Sequence, residues 1–196
     1  MSSNKGSSFE REISKDLSKW LTGQEKPYQY WRTPGSGSLC TIHNEDMGLS
    51  GDIRALTPEA KFLTDVFSIE LKTGYPTTSF WQHFSDIKGF KLREFWEQTN
   101  RDAKKANKEP MLIYRKKGKK KLVGFRKNLL DNYMFRDCYD LDNIGIISIQ
   151  FKIDYMLPVL AIMDFNDFFN IMKPDKMRSV CNIIIGDNNG EDDVNA

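Results

Sequence analysis

In the run Phe67-Ser68-Ile69-Glu70-Leu71-Lys72, apolar and polar side chains alternate. A period of two is the mark of a strand with two unlike faces. The spacing predicts a strand from Phe62 to Thr73, with Val66, Ser68, Glu70 and Lys72 on one face. Phe67, Ile69 and Leu71 make the other face fully apolar, and the flanks are hydrophobic too, which predicts a central strand. The chain must therefore build a sheet around an acid and a lysine, residue types that are rarely buried without a reason.

Gly51-Asp52-Ile53 lies upstream. Ile53 to Leu56 reads as a strand antiparallel to the first and joined to it around Pro58, which brings the carboxylates of Asp52 and Glu70 side by side. Two converging acids repel unless a cation lies between them. Their oxygens suit a hard divalent ion, Mg²⁺ or Mn²⁺. Lys72, on the face of Glu70, would then hold a phosphate oxygen or orient an attacking water. A Glu and a Lys two apart are more often a solvated strand face, and it is the Gly-Asp turn that raises the chemical reading. Glu10 has two readings: with Ser7 it fits a helix capping box, and beside Phe9 and Ile13 it could reach the site as a further ligand.

The surrounding pattern is α/β. Ser7 or Ser8 would cap a first helix running to about Leu21, its buried stripe being Phe9, Ile13, Leu17, Trp20 and Leu21. Tyr28 to Trp31 reads as a strand. A long helix is expected over Asp86 to Asn107, then strands Met111 to Tyr114 and Leu122 to Phe125 about a turn at Gly118. Further strands are expected at Ile144 to Phe151, Val159 to Met163 and Ser179 to Ile185, with a short helix from Phe165 capped by Asp164. Helix, sheet, helix and more sheet predict a central mixed β-sheet flanked by helices. We read 1–185 as one domain, with 128–185 extending the sheet and 186–196 an acidic, disordered tail.

A length of 196 residues suffices for a real core. Hydropathy and a polar N-terminus predict a cytoplasmic or nucleoid-associated protein with no membrane span. Cys40, Cys138 and Cys181 have no metal-binding spacing and are expected to be reduced thiols. Two histidines, His43 and His83, exclude a histidine-rich metal centre. No glycine-rich loop ends in Gly-Lys-Ser/Thr, so no nucleotide cofactor is expected.

The net charge of +2 hides a basic run: Arg101 to Lys127 holds twelve Lys/Arg against two Asp/Glu. Arg101, Lys104, Lys105, Arg115, Lys116, Lys117, Lys119, Lys120 and Lys121 would neutralise phosphates and give salt-sensitive binding of nucleic acid. Arg115 and Arg126 would act as phosphate forks. A solubilising turn is the plainer reading of the lysine-rich tip. Gln98 is either an exposed helical residue or a polar group near the site. Trp81, Trp96, Phe80, Phe84, Phe90 and Phe95 suggest core or dimer packing.

Gly6-Ser7-Ser8-Phe9-Glu10-Arg11, Arg32 with Gly35-Ser36-Gly37, Gly51-Asp52-Ile53 and Ile69-Glu70-Leu71-Lys72 together resemble the PD-(D/E)XK nuclease superfamily. The order of these elements is most similar to archaeal-type and phage Holliday junction resolvases, over residues 6 to about 115. The resemblance implies a restriction-endonuclease-like core, a DNA substrate and a homodimer. It also implies that Glu10, Asp52 and Glu70 bind Mg²⁺ and that Lys72 serves the nucleophilic water, with Arg32 and Ser36 at the scissile backbone. Gly51 stands where a proline is usual, and the C-terminal third matches nothing in the pattern. A restriction-type or nicking endonuclease stays open, as does a DNA-binding module with an inactive site.

Overall fold

The computed structural model describes residues 3–33, 50–74, 91–136, 144–151 and 157–192. Helix α1 spans Ser3–Thr22 and buries Phe9, Ile13 and Leu17, one residue per turn along a single stripe. It begins before Ser7, so the expected capping box is not formed, and Glu10 lies well inside the helix. The Ser18 hydroxyl accepts from the backbone N–H of Gln29 and Tyr30, pinning the next strand to the helix.

Strands β1 (Tyr30–Arg32) and β2 (Ile53–Ala55) form an antiparallel two-stranded ribbon. The expectation that β2 pairs with the Glu70 strand is thereby corrected. The expected long strand also divides. Pro58–Ala60 is a turn of 3₁₀ helix, α2 covers Lys61–Val66, and only Phe67–Thr73 is strand β3. Phe62, Leu63 and Val66 are buried at helical spacing, and a proline at the start of the turn supplies the φ that helix needs.

Helix α3 (Lys91–Lys105) leads into β4 (Glu109–Arg115), which returns as β5 (Lys121–Arg126). A short helix at Lys127–Leu129 continues into a π-helical turn, Leu130–Met134. Then follow β6 (Ile147–Ile149), β7 (Leu160–Asp164), α4 (Phe165–Ile171) and α5 (Pro174–Asp192). Asp164 caps α4 as expected, accepting from the N–H of Asn166 and Asp167. Helix α5 replaces the strand expected at Ser179 to Ile185, and it takes in Gly186 to Asp192 of the tail expected to be disordered. Its buried residues Met177, Val180, Cys181 and Ile184 are three and four apart, a helical spacing hidden within an apolar run.

The five-stranded sheet has the order β3-β4-β5-β7-β6, with β3 and β4 parallel and the other pairs antiparallel. β3 is therefore an edge strand, not the central one expected. Its buried residues are explained by helices on both faces. Phe67, Ile69, Met111, Ile113, Val123 and Phe125 pack with α1, α2, α4 and α5. Leu112, Tyr114, Leu160 and Ile162 pack with Leu92, Phe95 and Trp96 of α3. This is an α/β fold with a restriction-endonuclease-like core, in which β7 and β6 widen the sheet. Among the described residues, no helix is long and apolar enough to cross a membrane. The aromatic residues at 80–90, together with Cys40, Cys138, His43 and His83, lie outside the described residues.

Candidate active site

Among the described residues, the outer edge of β3 is met by Asp52. Asp52 N–H donates to Ile69 O at 2.7 Å, and Leu71 N–H donates to Asp52 Oδ2 at 2.9 Å. A carboxylate oxygen thus takes the place of a backbone carbonyl. This contact requires Gly51. Its φ is +83°, and a Cβ there would lie 2.7 Å from both the N and the O of Ile69. Proline, locked near −65°, cannot adopt that backbone, which is the physical reason for glycine where the motif commonly has proline.

Asp52 is held in this way beside Glu70, which is 9% exposed. Burial, and after it the charge of Asp52, push the Glu70 carboxyl up to about 7, against the pull of Lys72. Lys72 Nζ is 2.6 Å from Glu70 Oε1. Gln98 Nε2, reaching over from α3, donates to the same oxygen at 3.1 Å. The Lys72 ammonium also lies 5.8 Å from the centre of the Phe95 ring. Asp52, Glu70, Lys72 and Gln98 therefore converge about Glu70, midway along the edge strand β3.

Glu10 of α1 also lies close enough to Asp52 to feel its charge. Burial raises its pKa first and the Asp52 charge second, while Arg32 opposes both. Arg32 Nη1 is 3.4 Å from Glu10 Oε2, so the arginine expected at a DNA backbone is engaged with this acid. Asp52 is felt by both glutamates. Among the described residues, however, no three His, Cys, Asp or Glu side chains come together tightly enough to hold an ion. The donor set fits a hard divalent cation in another respect: Asp52 and Glu70 offer carboxylate oxygens, and the repulsion that Asp52 exerts on Glu70 is what a cation would relieve. Ser36 lies outside the described residues.

The basic run does not form one stripe. Strand β4 carries it across the sheet, a rise of about 20 Å over its length, so Arg101, Lys104 and Lys105 sit at the opposite end from residues 116–121. Several cations are also spent within the protein. Arg115 Nη1 donates to both oxygens of Glu12 at 2.7 Å, and Lys121 pairs with Asp16. Arg126 is held by Glu109 at 3.2 Å and by Asn100. Arg115 and Arg126 are thus structural ties, not open phosphate forks. Lys120 reaches Asp164 at 3.4 Å while remaining 83% exposed. Lys116, Lys117 and Lys119 have no carboxylate partner among the described residues, and their turn follows the end of β4 that pairs with Lys72 and Thr73. Glu12 and Asp16, on the polar face of α1, were not singled out from sequence; a pair of acids four apart opposite a basic hairpin was the available signal.

No curated protein and no solved structure matches the chain. A family model does match, over residues 1–179, and it carries the description "Phage putative PDDEXK endonuclease". The match spans both acids, the lysine and nearly all of the sheet and its helices, so the chain belongs to this phage family of PD-(D/E)XK endonucleases.

Proposed function

We propose that the chain is a divalent-metal-dependent endodeoxyribonuclease whose working residues are Asp52, Glu70 and Lys72, with Glu10 in support. The observation that carries this reading is the half-buried acid Asp52, tied by hydrogen bonds to the edge strand of Glu70, whose own buried carboxyl is raised by burial and by the Asp52 charge, a repulsion that a bound cation would relieve. Asp52 and Glu70 would hold Mg²⁺ or Mn²⁺, which when bound supplies Lewis acidity at the phosphoryl oxygen. Lys72 would orient the attacking water and hold a proton close to it. Gln98 fixes the Glu70 carboxylate in place. Lys116, Lys117, Lys119 and Lys120 would meet DNA phosphates beyond the end of the sheet where Thr73 pairs with Arg115, and Arg101, Lys104 and Lys105 would form a separate basic area at the other end.

The order of the motifs supports a four-way junction as substrate, and symmetric cutting of a junction would require two copies of the chain. The test is cleavage of a labelled four-way junction beside a linear duplex of the same sequence, in Mg²⁺ and in chelator. Metal-dependent cuts confined to the junction and absent in Glu70→Ala would support the full reading. Cutting of the linear duplex would keep the nuclease and reject the junction. Binding without cleavage of either would leave a DNA-binding module.

A further inference from the structure

The hydrogen bonding of the β1–β2 ribbon continues one step beyond its strands. Thr33 N–H donates to Asp52 O at 2.8 Å, which sets Thr33 opposite Asp52, as Trp31 is set opposite Arg54. Residues opposite each other in an antiparallel pair point to the same face, and so do residues two apart. Thr33, Asp52 and Arg54 therefore share one face of the ribbon.

Three residues that lie opposite Asp52 or two positions from it in the chain carry a buried polar atom with no hydrogen-bond partner: Thr33 Oγ1, Ser50 Oγ and Arg54 Nε. Thr33 is only 5% exposed. Arg54 makes no ion pair with any described residue, although most other half-buried cations of this protein are matched to an acid. Leaving one buried donor unpaired is costly, and three on residues opposite or within two positions of Asp52 are a concentration that calls for an acceptor from outside. Two hydroxyls and a guanidinium suit an anion with several oxygens.

We propose that Thr33, Ser50 and Arg54 form a phosphate subsite that seats a backbone phosphate of the strand being cut against Asp52. This rests on the nuclease reading above and assigns to it three residues outside the acid–acid–lysine motif. Thr33 and Ser50 donate hydroxyl hydrogens to phosphate oxygens, and Arg54 supplies the charge that offsets the nearby acids.

The test measures binding of a labelled DNA duplex and of a four-way junction by fluorescence anisotropy across a salt series, in Ca²⁺. Melting temperature and Mg²⁺-dependent cleavage are read in parallel. Thr33→Val should weaken binding about tenfold without changing the salt slope, and it should melt no lower than wild type because it removes an unpaired hydroxyl. Arg54→Met should weaken binding at least as much and make the salt slope shallower by about one; Arg54→Lys should restore the slope but not the full affinity. A Thr33→Val protein that melts well below wild type would show a structural hydroxyl and overturn that assignment. Wild-type cleavage with unchanged binding in Thr33→Val and both Arg54 variants overturns the subsite and leaves the nuclease standing. Wild-type protein that neither binds nor cuts overturns both.

Discussion

Replacing Gly51 by alanine should separate two costs that glycine usually hides together. The first is conformational: at φ +83° an alanine pays about 1–2 kcal/mol for left-handed backbone. The second is contact: the new Cβ would lie 2.7 Å from the N and O of Ile69, backbone atoms of a buried strand that cannot swing aside. Relief requires the Gly51–Asp52 segment to withdraw, which stretches both Asp52 N–H to Ile69 O and Leu71 N–H to Asp52 Oδ2. Those two bonds add about 2 kcal/mol. Gly118 supplies the control, since its φ is +73° but nothing lies within 4 Å of its Cβ position. Gly118→Ala should thus cost about 1–2 kcal/mol and Gly51→Ala about 3–4 kcal/mol. In a protein of this size the difference lowers the melting temperature by a further 4–8 °C or so. Gly51→Ala should also lose metal-dependent cleavage, because Asp52 is displaced from Glu70. Urea unfolding of both variants decides the matter: equal destabilisation would refute the close approach and the account of why this position is not proline.

The raised Glu70 pKa makes stability fall with pH in chelator. A group whose folded pKa of about 7 exceeds its ordinary 4.5 contributes stability below 4.5 that is lost as pH rises through 7, a swing on the order of 3 kcal/mol. Glu70→Gln should remove that share of the slope, and parallel pH profiles of the urea midpoint would refute the assignment. Mg²⁺ should raise the melting temperature of the wild type more at pH 8 than at pH 5, because the cation must displace the Glu70 proton; equal shifts at both pH values, or a full shift in Asp52→Asn, would contradict the proposed ligands. Arg115→Ala should cost about 1 kcal/mol of stability through its lost pair with Glu12. Lys117→Ala should leave stability unchanged and flatten the salt dependence of DNA binding by about one, and an exchange of these two phenotypes would reverse the roles given to the two cations.

Period-two alternation, a Gly-Asp turn and an Ile-Glu-Leu-Lys run were enough to single out Asp52, Glu70 and Lys72 as candidates from sequence, because each signal is local and each demands a particular backbone. Most elements of the sheet were equally legible, since a strand bounded by turn residues announces itself within ten positions. Long-range partners were not. Apolar residues at 62–66 and 179–185 suit strand or helix alike, and only packing against other elements decided for helix. The basic run from Arg101 to Lys127 looks continuous because sequence has no thickness; a strand crossing the sheet separates its halves, and Glu12 and Asp16 claim part of the charge. By itself the sequence determined which residues are candidates for chemistry, since a Gly-Asp turn and an acid and a lysine on one face of an otherwise apolar strand are local signals. Tertiary structure alone decided which cations remain for a partner, that Gln98 reaches Glu70, and that Glu10 faces Arg32, because each depends on the distance between elements far apart in the chain.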